Sequence, residues 1–336
     1  MTRAEAVLVL MWLGVTAYAL FGGADFGAGG WDLLSGGGVA AARRRGVIEH
    51  TIGPVWEANH VWLIFVLVVL WTAFPLAFAS VASTLYIPIT LAAVGIIVRG
   101  SAFAFRKAVM SYAQRRAYGA AFAFASVVTP FFLGASAGAV ASGRIPPGIA
   151  RGDVLTSWLN PTSMLGGVLA VLACAYLAAV FLCADAKREG EPDLAAWFRL
   201  RGMLTALLVG IVALAGIAIL RADAPLLFHG LTHRALPLVL ISGLAGLGSA
   251  GLLLRRRYAL ARPAAGLAVA AIIWGWAVAQ YPYLLQPGLT IAAGAAPEAT
   301  LSTMLVSLII GGVLLLPALV LLYTLFQRST SRAAAR

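Results

Sequence analysis

Phe21-Gly22-Gly23-Ala24-Asp25-Phe26-Gly27-Ala28-Gly29-Gly30-Trp31 and Pro54-Val55-Trp56-Glu57-Ala58-Asn59-His60-Val61-Trp62 each set one carboxylic acid inside an apolar run of bilayer-spanning length. A carboxylate in hydrocarbon costs several kcal/mol unless it is paired, protonated or wetted, so such residues mark an ion or proton route. The competing reading is an acid that snorkels to a nearby headgroup region. The runs around them decide the fold class. The chain is 62% hydrophobic and 11% charged, with a mean hydropathy of +0.94. About 20 apolar residues cross a bilayer as a helix, and unbroken rather than alternating runs exclude barrel strands.

The chain therefore reads as an all-α polytopic membrane protein. Nine spans are expected, at about 5–34, 54–75, 79–105, 117–141, 163–186, 202–221, 236–254, 263–283 and 300–326. Phe74-Pro75 and Ser80 separate the second from the third. A basic, turn-rich stretch, Ser35 to Gly38 and Arg43 to Arg45, separates the first from the second. The whole chain, 1–336, reads as a single membrane domain with a tail from 327, and its first apolar run as a retained helix rather than a cleaved signal.

A net charge of +12 could point to nucleic acid, but its placement does not. With the N-terminus outside, 18 of the 24 Lys and Arg fall in inner loops and the tail, five fall outside, and Arg99 lies within a span. This asymmetry is the positive-inside pattern and sets the C-terminus in the cytoplasm. The basicity is topology, and no nucleic-acid partner is expected. Cys174 and Cys183 stand nine residues apart on one expected helix, about 13 Å along its axis, too far for a disulfide.

On this topology Asp25, Glu57 and Arg99 come from three spans and share a layer towards the cytoplasm. Gly22 and Gly29 flank Asp25 on one helix face and admit a close neighbour. A carboxyl shut away from water favours its neutral form and can take up and release a proton. Glu57 and His60 face one way, with Trp56 and Asn59 beside them, a spacing that suits proton relay. The same Glu-x-x-His pair can also be half of a metal site, but no second pair is found, so no metal is expected. Arg99 is either a counter-charge for one of the acids or a snorkelling arginine. His229 and His233 have helical spacing without a third ligand. A haem would need axial ligands, and His60 is the one histidine clearly within a span, so redox centres are expected in a partner.

The Gly-x-Asp-Phe-Gly-x-Gly run around Asp25, the Gly53-Pro54-x-Trp56-Glu57-x-Asn59-x-x-Trp62-Leu63 signature, and Arg99 followed by Phe103-x-Phe105-Arg106 resemble subunit II of cytochrome bd-type quinol oxidases. Weaker similarity continues through Asn160-Pro161, Tyr281-Pro282, Pro317 and Tyr323. The resemblance implies two four-helix bundles, about 5–141 and 163–326, plus a peripheral helix. It implies a haem-free subunit in a prokaryotic cytoplasmic membrane, paired with a subunit I that carries haems b and d. Quinol would be the substrate of the complex, with room for a structural quinone and lipid. Asp25 and Glu57 match the proton path, to which His60 is added by its spacing from Glu57. Trp62 matches a tryptophan near the subunit boundary and Arg99 a family arginine, with Trp56 and Asn59 as supporting neighbours in the signature. This chain departs from the family where Asp-Gly-Phe-Asp is common and Gly22-Gly23-Ala24-Asp25 stands. His60 also stands where Gln is common. The rival reading is an autonomous proton-coupled transporter, which calls for inverted repeats and broken helices near the midplane. No repeat stands out in the sequence.

Overall fold

The computed structural model describes residues 1–52, 56–109 and 111–333. The side chains of His50, Trp56 and Tyr323, and residues Gly53 to Val55, lie outside the described residues. The first span is continuous from Arg3 to Leu33 but not uniform. Helix α1 (Arg3–Ala17) passes through a π-helical turn, Tyr18–Gly22, into α2 (Gly23–Leu33). Thr2 and Glu5 close a reciprocal capping box on α1, which satisfies backbone N–H groups left free at a helix start.

The basic stretch after α2 is a helix, α3 (Gly38–Ile52), rather than a loop of turns. Its alanines and arginines are good helix formers, and Ala41, Val47 and Ile48 are its buried residues on one side. Helix α4 (Trp56–Ala73) follows and ends at Phe74. The third span starts later than expected. Residues Pro75–Thr84 form a separate short helix, α5, bent by 118° from α4, and the span proper is α6 (Tyr86–Ala108). Proline drives its predecessor out of the helical region, and Phe74 sits at φ −137°, ψ 60°.

The remaining long helices are α7 (Tyr112–Ala141), α8 (Pro161–Arg188), α9 (Pro192–Asp223), α11 (Leu236–Leu254), α12 (Tyr258–Gln280) and α14 (Glu298–Ala333). Between α9 and α11 lies the short α10 (Pro225–Thr232). After α12 come an antiparallel two-stranded turn, β1 (Tyr283–Leu285) and β2 (Leu289–Thr290), and one turn of helix, α13 (Ile291–Gly294). Among the described residues eight helices are long and apolar enough to cross a membrane, and the bent pair α4–α5 makes up to nine. This is a multi-pass, all-α protein.

A repeat that the sequence hides becomes visible in the backbone. Ala224, before Pro225, sits at φ −136°, ψ 63°, the same conformation as Phe74. Each proline opens a short helix, and the next long helix begins eleven positions after it, at Tyr86 and at Leu236. Packing repeats too. The first span packs on α4 and α7, and α6 packs on α7; α8 packs on α9 and α12, and α11 packs on α12. The halves meet where α8 lies against α2 and α7. Glycines allow this approach: a Cβ on Gly27 would stand 1.9 Å from the Cys174 carbonyl oxygen, and one on Gly134 2.5 Å from that of Gly166. The last helix, inside the 163–326 stretch by sequence, packs instead along α1 and α4. Ala296 donates its backbone N–H to the Ala73 carbonyl, and Arg3 pairs with Glu298.

Candidate functional site

Asp25 lies just after the π turn, 4% exposed, and faces the interior of the first four spans. Such turns widen a helix and often accompany functional positions. Asn59 of α4 donates from Nδ2 to Asp25 Oδ2 at 3.1 Å and to the Phe21 carbonyl of the π turn at 3.4 Å. Arg99 of α6, 1% exposed, donates from one terminal nitrogen to the Asp25 backbone carbonyl at 3.2 Å; that nitrogen lies 3.9 Å from the carboxylate. Its Nε donates to Ser126 Oγ of α7 at 3.1 Å. Its guanidinium carbon stands 4.9 Å from the Phe26 ring and 5.1 Å from the Phe122 ring. All four spans of the first half thus contribute to one buried polar cluster.

The geometry separates the two charges in a useful way. A 3.9 Å contact is an electrostatic neighbour and not a hydrogen bond. The arginine is held by two neutral oxygens and two aromatic faces, interactions that survive whether or not the carboxylate is charged. Asp25 can therefore change protonation without stranding Arg99. Gly29 makes the arrangement fit, since a Cβ there would stand 2.1 Å from Ser126 Oγ. A Cβ on Gly22 would first meet the Tyr18 ring of its own helix, at 2.9 Å.

His60 is half-buried between aromatic rings, 6.1 Å from Tyr18 and 5.9 Å from Phe26 by centroids. Trp62 is half-buried against Phe65. Glu57 is exposed, and among the described residues no hydrogen bond or ion pair joins it to Asp25 or Arg99. Helix geometry explains the split. Residues two apart point about 200° apart, so turning Asn59 inward turns Glu57 outward. Asp25 and Arg99 share a layer as expected, while Glu57 stands on the flank of α4 beside them. Among the described residues no group of three or more His, Cys, Asp or Glu is placed to hold a metal ion. His229 of α10 and His233, just past its end, stack on each other at 4.0 Å.

A second acid went unremarked in the sequence. Asp32 lies one heptad after Asp25 on the same helix and is as buried. Arg45 of α3 donates to its Oδ1 at 2.7 Å and Arg106 of α6 to its Oδ2 at 2.5 Å, with Glu49 on the far side of Arg106 at 3.0 Å. Gripped on both oxygens, Asp32 staples α3 and α6 to α2. Ser126 was equally silent in the sequence, because a serine in a fourth span has no pattern of its own. The Phe-Arg pair at Phe105-Arg106 was the available signal for the staple.

Residues 4–326 match the family described as cytochrome bd terminal oxidase subunit II. The chain belongs to that family. A Bacillus subtilis (strain 168) relative, cytochrome bd ubiquinol oxidase subunit 2, is 32% identical over 153 residues, which is 45% of this chain. The match spans less than half, 44%, of that relative's length. A chain in the structure of bd oxidase from Geobacillus thermodenitrificans superposes with a TM-score of 0.73 at 28% identity, covering 97% of this chain and 99% of that one. The fold likeness therefore extends over nearly the whole chain, the second half included.

Proposed function

We propose that this chain is the haem-free subunit II of a bd-type quinol:dioxygen oxidoreductase in a prokaryotic cytoplasmic membrane. In this reading it scaffolds a haem-bearing subunit I, which carries haems b and d, and passes cytoplasmic protons towards the site of oxygen reduction. The N-terminus lies outside and the C-terminus in the cytoplasm, on the Lys and Arg asymmetry. The supporting observation is Asp25, enclosed by four spans and hydrogen-bonded to Asn59, with Arg99 tied to neutral partners beside it. Asp25 takes up and releases the proton, Asn59 orients its carboxylate, and Arg99 stabilises the ionised form. Glu57, on the open flank of α4 with His60 one turn on, is the acid that would exchange protons across the subunit boundary. The second half contributes framework, and Asp32 anchors α3.

The test is turnover of the assembled complex. Asp25→Asn, with haem content and subunit ratio unchanged, is expected to slow quinol-driven oxygen uptake by about tenfold or more, a modest loss for a positioned proton-transfer group. Glu57→Gln should slow it less if water can replace it. Unchanged turnover in both variants would leave a scaffold whose acids carry no protons, and the proton-delivery reading would fall.

A further inference from the structure

The corner where α3 meets the first turns of α9 concentrates charge that the proton path does not use. Trp197 stands there, edge-on to Trp31 at 6.4 Å and to Phe198 at 5.0 Å. The Arg201 guanidinium carbon lies 3.2 Å from the Trp197 ring centroid, and that of Arg44 lies 4.7 Å from it. Each contact is favourable by itself, yet together they bring two like charges onto a single indole. Arg44 donates one terminal nitrogen to the Ser35 carbonyl at 2.8 Å, and its Nε is buried without a hydrogen-bond partner. Arg201 donates to the Trp197 carbonyl at 3.3 Å. Neither has an ion pair among the described residues. The carboxylates bonded in this corner are taken: Asp32 by Arg45 and Arg106, Glu191 by Arg43. A buried N–H of a cation with no acceptor is costly, and an anion that reached the two guanidiniums would offset that cost.

Depth says where such an anion comes from. Arg201 and Arg221 bracket residues 202–220 of α9, a run without a single charge. As helix that run is about 28 Å long, close to the ~30 Å of bilayer hydrocarbon. Arg201 is thereby placed at the boundary between acyl chains and headgroups, with Trp197 at the level where tryptophans anchor. Leu200, Leu204 and Leu208 continue from it along an exposed flank of α9, so apolar surface leads away from the two cations into the bilayer. Basic sites between spans at this level bind anionic headgroups.

We propose that Arg44, Trp197 and Arg201 form a binding site for a phosphate group carried by an anionic phospholipid of the adjoining leaflet. The guanidiniums hold the phosphate oxygens, the indole keeps both cations in place, and an acyl chain lies along α9. The site would tie α3 and α9 together through the lipid.

The experiment uses the full chain with whatever subunit copurifies, in mild detergent. Bound lipid is counted by native mass spectrometry, and thermal unfolding is followed with added phosphatidylglycerol, phosphatidylcholine or inorganic phosphate. Phosphatidylglycerol is expected to remain bound and to raise the unfolding midpoint, while the other two do not. The double variant Arg44→Gln, Arg201→Gln should retain about tenfold less phosphatidylglycerol, in line with the loss of two basic side chains at an anionic surface. Equal retention in the double variant overturns the proposal, as does an equal response to phosphatidylcholine. A full response to inorganic phosphate overturns the lipid as its source. If the double variant does not accumulate, the three additives on the unaltered protein decide the matter.

Discussion

Counting 24 residues from Pro75 reaches Arg99; counting 24 from Pro225 reaches Ser249. Both side chains are buried at the same place in the repeat. Arg99 meets Asp25, Ser126 and two phenylalanine rings, whereas Ser249 accepts from the Tyr176 hydroxyl at 2.8 Å and donates to the Ala261 carbonyl at 2.9 Å. Both halves also end their first helix with a buried acid held by arginine. Asp32 is bound by Arg45 and Arg106, and Asp185 by Arg188 and Arg262. One heptad before Asp32 stands Asp25; one heptad before Asp185 stands Ala178. The frame is shared, and among the described residues an ion pair with both partners buried occurs in the first half, at Asp25 and Arg99. That contrast separates what the architecture needs from what a proton route needs.

The largest effect should come at the seam that holds the halves together. Gly27→Val would drive a side chain into the Cys174 backbone, with no flexible neighbour to yield. The expected outcome is loss of assembled protein, measured as yield of monodisperse material by size exclusion. Next comes the charge itself. Arg99→Leu leaves Asp25 buried without its counter-charge, a change that costs about 3–5 kcal/mol; it should lower the unfolding midpoint sharply, and adding Asp25→Asn should recover part of the loss. If the double variant is no better than the single, the two residues are not coupled as described. Asp185→Asn weakens charge-assisted bonds to two partly exposed arginines, worth about 1–2 kcal/mol, and should leave oxygen uptake intact. Ser249→Ala, the counterpart of Arg99, should cost about 1 kcal/mol or less, as hydrogen bonds between spans do. A Ser249 effect as large as that of Arg99 would break the comparison, because the frame and not the charge would then matter.

The spans and the buried acid were legible in the sequence because hydrocarbon length and misplaced charge are strong local signals, whereas Arg99 was legible only as either a counter-charge or a snorkelling arginine. The position of Asn59 was legible only as a neighbour of Glu57. Which of the two turns inward depends on the rotation of α4, and rotation is fixed by packing against the π turn, which no local pattern announces. The helix across 75–84 was hidden for a similar reason. Phe74-Pro75 marks a break, but a break followed by an apolar helix of ten residues looks like the start of the next span. The repeat escaped notice because it lives in two backbone kinks and a packing order, while the side chains filling them differ.

The contact of α14 with α1 and α4 has a consequence for biosynthesis. Helix α14 leaves the ribosome more than 200 residues after α1 and α4, the helices it packs on. At about 5–20 residues per second that is a delay of some 10 to 45 seconds. During this interval the face of α1 and α4 that α14 will cover stands beside lipid. Acyl chains are as apolar as leucine, so the half-made subunit can rest in the bilayer without a chaperone on that side.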